Sequence, residues 1–198
     1  AANPGILSMS RMVAETARLL IRLAELEDAA FICSLWNDPR VMRFVGFPHG
    51  LGESEERLRA NIAQRGDSEF RQLLIVALKE SGQRIGQCKM ELPDADGISE
   101  TDVKLHPDFW GNRYGVEVKR ALLNHIFTRT DCRVVQASPN IENTASIKMQ
   151  EAVGGMRMGE KTYEFPEAMR EATTPVHAAI YQVSREIWER ELFENDNH

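Results

Sequence analysis

Apolar positions along the chain switch between a period of two and a period near 3.6, and the switches divide it into strands and helices. Residues 18–23 are apolar and compatible with a strand. Over residues 24–36 the apolar Leu26, Ala29, Ala30, Ile32, Cys33 and Trp36 recur at helical spacing. After the break at Pro48-His49-Gly50, Ser54 with Arg57 three positions on opens a polar, exposed helix running to Gln64. Residues 73–78 are a continuous apolar run of strand length, and Gly86, Cys88, Met90 and Leu92 alternate with Gln87, Lys89 and Glu91. Ser81-Gly82 joins these two strands as a hairpin. Residues 98–105 predict a fourth strand. In the following helix, Val118, Ala121, Leu122, Ile126 and Phe127 share one face, while Glu117, Lys119, Arg120 and Asn124 are expected to point away. A short strand over residues 133–137 makes residues 98–137 a strand-helix-strand crossover with parallel strands. A helix over residues 143–153, stopped by Gly154 and Gly155, precedes an antiparallel pair, residues 156–165 and 176–183, around the loop 166–175. The order is α/β with a mixed sheet, and no internal repeat interrupts it.

The segment Leu105-His106-Pro107-Asp108-Phe109-Trp110-Gly111-Asn112-Arg113-Tyr114-Gly115-Val116 combines a strand end, a proline-broken turn, a glycine-bracketed loop and a helix start. Backbone amides converging at the positive end of a helix dipole make an anion site, with phosphate the natural occupant. Gly111 and Gly115 are expected to permit positive φ and close approach of a ligand. The plain alternative is a tight turn that needs glycine for its own geometry.

Composition narrows the classes. A chain of 198 residues suits one domain with a full core, and 42% hydrophobic with 27% charged residues is ordinary for a soluble protein. We expect a domain over residues 17–193, a flexible segment over residues 1–16 and a polar tail over residues 194–198. No apolar run approaches the roughly 18 to 20 residues that span a bilayer, and the start lacks a basic-then-apolar leader, so a cytoplasmic protein is expected. Cys33, Cys88 and Cys132 are odd in number and widely spaced, as for reduced thiols. A net charge of −6 without a basic stripe argues against nucleic acid. The five histidines show no ligand spacing, so no metal is expected.

The loop from Pro107 to Glu117 resembles the acetyl-CoA pyrophosphate loop of the GNAT superfamily of N-acetyltransferases, in the form of the branch similar to the RimJ and RimL ribosomal-protein acetyltransferases. Asn143-Thr144-Ala145-Ser146-Ile147-Lys148-Met149 with Val153-Gly154-Gly155 resembles that branch's Asn-x-x-Ser helix and the strand start after it. Leu35-Trp36-Asn37-Asp38-Pro39-Arg40-Val41-Met42 resembles its first-helix ending, and Tyr181-Gln182-Val183-Ser184-Arg185-Glu186-Ile187-Trp188 its last strand and Arg-Glu-x-Trp helix. The four matches stand in the family's order over residues 18–190. Three positions depart from the pattern. Arg113 replaces the loop's central glycine, Gly155 replaces a phenylalanine, and Gln150 stands where many members carry a tyrosine general acid. Arg113 would either crowd the pyrophosphate or compensate by reaching a phosphate.

The resemblance implies a GNAT-like fold: a mixed, mostly antiparallel central sheet flanked by helices, in which a splayed parallel strand pair forms the acyl-CoA cleft. It implies an acetyl-CoA-dependent N-acetyltransferase acting by direct transfer to a primary amine, either a protein N-terminus or a small amine. Cofactor contacts fall on Val103, Leu105, Trp110, Gly111, Asn112, Arg113, Tyr114, Gly115, Asn143 and Ser146, with Leu105 N–H polarising the thioester carbonyl. Glu100 or Asp102, two apart on one strand face, would accept the amine proton, with His106 next, and Ser146 would relay a proton near the sulfur. The plain alternatives are solvated carboxylates and, for Asn143, helix capping. The acidic group Glu91, Asp94, Asp96, Glu100 and Asp102 would attract a cationic acceptor, and the loop 166–175 would select it. A monomer or homodimer with no membrane partner is expected. The competing classes are a catalytically weak acyl-CoA-binding protein of the same fold and an interaction domain with a vestigial cleft. CoA calorimetry separates the last, and a thiol-release assay on an amine library separates the first two.

Overall fold

Apolar residues on both faces of one strand series force a sheet covered on each side, and the computed structural model, which describes residues 11–195, has that arrangement. The strands are β1 (Met12–Glu15), β2 (Leu19–Leu23), β3 (Leu74–Leu78), β4 (Arg84–Met90), β5 (Ile98–Leu105), β6 (Val134–Ala137), β7 (Met156–Tyr163) and β8 (Val176–Ser184). The helices are α1 (Ala29–Trp36), α2 (Pro39–Met42), α3 (Glu55–Ala63), α4 (Tyr114–Arg129), α5 (Thr144–Ala152) and α6 (Arg185–Asn195). Sheet order is β1-β2-β3-β4-β5-β6-β8-β7, antiparallel except for the β5-β6 pair. The expected mixed, mostly antiparallel α/β fold is therefore present, and the expected fourth strand is the fifth.

Three expectations change. Met12–Glu15 is an edge strand antiparallel to β2, so the flexible segment cannot extend through it; residues 1–10 and 196–198 lie outside the described residues. Helix α6 continues to Asn195, into the expected polar tail. Lys119 does not face away. It is 0% exposed, beneath α4.

Helix α4 lies over one face of the sheet, where Val118, Leu122 and Ile126 pack with Leu19, Ile21, Leu74, Val76, Ile85, Cys88 and Met90. Both of its ends are fixed. At its start, Glu117 accepts from Thr16 Oγ1 (2.5 Å), Arg18 N (2.9 Å) and Arg18 Nε (2.8 Å), so the β1-β2 turn clamps the first helical turn. At its end, Arg185 donates to the carbonyls of Phe127, Thr130 and Cys132 at 2.8–2.9 Å, giving the terminal C=O groups a cationic partner. Trp188 stacks on Phe127 and donates to Asn124 Oδ1, which gives the Arg-Glu-x-Trp segment its structural task.

The opposite face carries α1 and α3, with Ala29, Ile32, Leu58 and Ile62 over Ile75 and Ala77. The helix expected from residue 24 begins later, because Glu25 and Asp28 cap each other across a 3-10 turn, Leu26–Asp28, before α1. Asp28 is fully buried and accepts from Arg22 Nη1 (2.6 Å), Arg22 Nη2 (2.9 Å), Arg84 Nε (2.5 Å) and Glu25 N (2.7 Å). Burial alone would raise its carboxyl, yet these bonds outweigh it and hold it below the usual carboxylate range. A carboxyl lowered in the folded state stabilises fully above its unfolded value and loses that contribution as pH falls through the folded one. Asp28→Asn leaves the Arg22 guanidinium buried without a counter-charge, and should cost about 3–5 kcal/mol in denaturant titration at pH 7. The difference from wild type should shrink as pH falls below about 4.

Candidate active site

Strand β5 is bonded along its length on one side and over only three residues on the other. Its register with β4 runs from Met90↔Thr101 to Gly86↔Leu105, whereas its parallel register with β6 covers Ile98↔Val134, Ser99↔Val135 and Glu100↔Gln136. The strands part there because the chain after β6 follows β8: Ala179 N donates to Pro139 O, Ile141 N to His177 O, and Asn140 bridges Ala178. Glu91 N donates to Glu100 O and His106 N to Ile85 O, so even-numbered β5 residues spend their backbone groups on β4. By alternation, the backbone groups of Thr101, Val103 and Leu105 face the widening gap. This is an open half-edge inside a sheet, able to bond an extended guest as an added strand would.

The gap opens toward the loop between β5 and α4. Trp110 is about half exposed, and its indole donates to Leu105 O at 2.9 Å, closing the outermost gap-facing carbonyl. Asn112 Nδ2 bonds Phe109 O and Trp110 O, and Arg18 Nη2 bonds Asn112 O, which fixes the loop from within. Tyr114 opens α4 with the Arg18 guanidinium 4.3 Å over its ring. Gly111 has φ +80° with open space where a Cβ would project. The second positive φ falls on Arg113 (φ 61°, ψ 17°), not on Gly115 as expected. Gly115 is helical, and a Cβ there would come within 3.0 Å of Met149 Sδ, so this glycine sets the approach of α5 to α4. Arg113 borders an open groove of about 670 Å³ on the β1 side of α4, together with Glu117, Arg120 and Arg129.

The expected carboxylates project on the face opposite α4. Glu100 is exposed at the last β5-β6 pair, where it accepts from Gln136 Nε2 at 3.2 Å, and Gln136 in turn accepts from Gln182 at 2.9 Å. Asp102 is ion-paired with Lys104. The same face holds Gln87, bonded by the Trp36 indole at 3.1 Å. Its outer wall joins the segment after α2 to the loop 166–175: Thr174 N donates to Gly46 O, Phe165 meets Phe47 and Tyr163 edge-on, and Asn140 Nδ2 reaches Phe44 O.

On the far side of the gap, Asn143 caps α5 by accepting from Ser146 N at 3.1 Å, so the capping role is realised at Asn143. Gln150 is 4% exposed, and a Cβ on Gly155 would lie 2.5 Å from its carbonyl oxygen, which accounts for glycine at residue 155. Periodicity did not single out Ser138. It follows β6 directly, and its buried Oγ has no hydrogen-bond partner. An orphaned hydroxyl beside unpaired strand amides, with an anion-shaped loop at the open end, fits an amide-bearing arm that ends in a phosphate.

A mostly antiparallel sheet that splays at its one parallel pair, flanked by helices, is a GNAT-like α/β fold. Residues 18–156 match the family model described as the acetyltransferase (GNAT) domain, and the chain belongs to that family. It is similar to a Bacillus licheniformis protein named as uncharacterized N-acetyltransferase p20, with 27% identity over 73% of this chain and 82% of that one. YkkB of Bacillus subtilis is 29% identical over 70% of this chain and 82% of its own length. Among solved structures, a GNAT-family acetyltransferase from Bacillus anthracis superposes with a TM-score of 0.71 at 20% identity, covering 88% of this chain and 99% of the other. The aminoglycoside acetyltransferase AAC(6')-Ib, solved with coenzyme A, gives 0.65 at 19% identity, covering 87% and 98%.

A left-handed non-glycine residue at the head of α4 stores backbone strain of about 1–2 kcal/mol. Arg113→Gly should therefore raise unfolding free energy by about 1 kcal/mol, less the entropy that glycine adds to the unfolded chain. Equilibrium denaturation checks this, and a destabilised variant would mean that the side chain contributes more than its backbone costs.

Proposed function

We propose that the chain is an N-acetyltransferase of the RimJ/RimL-like branch, transferring acetyl from acetyl-CoA directly to a primary amine. One observation carries the reading: a run of unpaired β5 amides leads from an anion loop to a carboxylate standing where the strands part. The pyrophosphate sits on the loop amides of residues 111–115 at the α4 N-terminus. The pantetheine arm adds to β5 through Val103 and Leu105, and a gap-facing amide polarises the thioester carbonyl. Asn143 and Ser146 border the arm from α5, and Ser138 offers its hydroxyl from the β6 side.

The acceptor approaches from the face of Glu100 and Asp102, which favours a cationic amine. AAC(6')-Ib, solved with kanamycin and coenzyme A, is a relative in fold with an amine-bearing acceptor. Glu100 is the better base, because it accepts from one neutral amide while Asp102 is occupied by Lys104. Before transfer the ammonium must give up a proton, and a carboxylate at the mouth receives it directly or through water.

Glu100→Gln should leave CoA affinity in place and lower kcat by about 10², with the loss shrinking as pH rises and the amine deprotonates unaided. Thiol release from acetyl-CoA with an amine library measures this, and full turnover in the variant at neutral pH would remove Glu100 from the mechanism. Arg113→Gly should weaken CoA binding and flatten its salt dependence if the guanidinium meets a phosphate. Tighter binding in calorimetry would identify it as an obstruction.

A further inference from the structure

Lys119 is a buried titratable group without a task in the reading above. Its side chain is wholly enclosed, with Nζ 2.5 Å from Thr101 Oγ1. Thr101 is the first β5 residue beyond the last pair with β6, and its backbone groups face the gap. The anion loop lies at the other end of β5, so an arm held there and running back along the strand brings its sulfur end toward Thr101.

An ammonium enclosed with a neutral hydroxyl partner is costly to keep charged, which makes it ready to release a proton. An ammonium has donors only, so Thr101 Oγ accepts from it and retains its own O–H for a further acceptor. We propose that Lys119, acting through the Thr101 hydroxyl, supplies the proton taken up by the departing CoA thiolate; this rests on the acetyl-transfer reading.

The free amine nitrogen forms its bond to the acetyl carbon and yields its surplus N–H proton to water at the mouth, and the C–S bond breaks with its electron pair remaining on sulfur. The thiolate takes the Thr101 hydroxyl proton, Thr101 takes one from Lys119, and Lys119 becomes a neutral amine. Burial favours that product. The relay also fills the place left by Gln150, an amide that cannot act as an acid at neutral pH.

The surroundings agree. Burial drives Lys119 down to about 7, opposed by the attraction of the Asp102 carboxylate on β5. On β4 the Cys88 thiol is buried and pushed up, so it stays protonated. From β2 the same core receives Leu19 and Ile21, while Glu15 of β1 pairs with Lys79 and Glu151 of α5 accepts from Tyr181. On α4 itself, Glu117 is held by Arg18 and His125 by Glu69. An ordinary thiol titrates at about 8.5, above Lys119, so transfer to the thiolate runs downhill. The group is half protonated near neutrality, and its acid function is lost as pH rises through about 7.

The test is the pH profile of kcat, read by thiol release from acetyl-CoA with saturating amounts of the best amine of the library, in wild type, Lys119→Met, Thr101→Val and Thr101→Ser. The wild-type profile should fall as pH rises through about 7, where Lys119 loses its proton. Lys119→Met and Thr101→Val should lose that falling limb together with about 10² in kcat near pH 7, and Thr101→Ser should keep both. Thr101→Val keeps Lys119 in place, so the test survives if Lys119→Met does not fold. The absence of a falling limb in wild type, or the same limb in all folded variants, overturns the relay while leaving acetyl transfer standing. Failure of wild type to bind CoA overturns the acetyl-transfer reading itself.

Discussion

The chain's partner choice after Ala137 governs the site. Residues 139–141 bond to β8 and leave β5, so three residues of parallel pairing hold together two half-sheets that diverge beyond Glu100 and Gln136. A strand with one side bonded and the other free is normally an edge and a liability. Here the free side lies inside the sheet, with α4 on one face and the Glu100 carboxylate on the other. On the proposed reading, the same divergence aligns the unpaired amides with the loop at the head of α4 and gives an acyl chain one route in and an amine another.

The rest of the fold keeps that opening rigid. Glu117, bonded by Thr16 and Arg18, fixes the head of α4, and Arg185 fixes its tail through three carbonyls. Burial would raise the Glu117 carboxyl, but the bonds from Thr16 and Arg18 hold it lowered, so this clamp is intact at neutral pH and weakens in acid. On the acceptor side, the contact of Phe165 with Phe47 and the bond from Thr174 to Gly46 tie the loop 166–175 to the segment after α2. The two walls are thus braced independently.

Much of this was legible in the residues. Period-two and period-3.6 patterns located most of the strands and the long helix, since burial on one face leaves a periodic trace. The loop-to-helix junction before α4 is legible because glycines and a helix start are local features. Other elements leave no such trace. Met12–Glu15 is too short and mixed to stand out, and it is a strand because β2 offers an edge. Lysine is seldom enclosed, so periodicity places Lys119 outward, and only the packing of α4 on β5 turns it inward. The left-handed backbone falls on Arg113 rather than Gly115 because Gly115 is needed inside the helix, against Met149. The unpaired Ser138 hydroxyl follows from where β6 stops, a property of pairing and not of composition.

The central claim is that the half-open side of β5 receives CoA. Residue-resolved amide hydrogen exchange, with and without CoA, tests it through the alternation of the strand. The N–H groups of Asp102 and Lys104 are turned to β4 and should exchange slowly in both states. Those of Val103 and Leu105 should exchange faster in the free protein and become protected by CoA. Protection of none of these residues, or equal change at odd and even positions, would contradict a guest bonded along this edge.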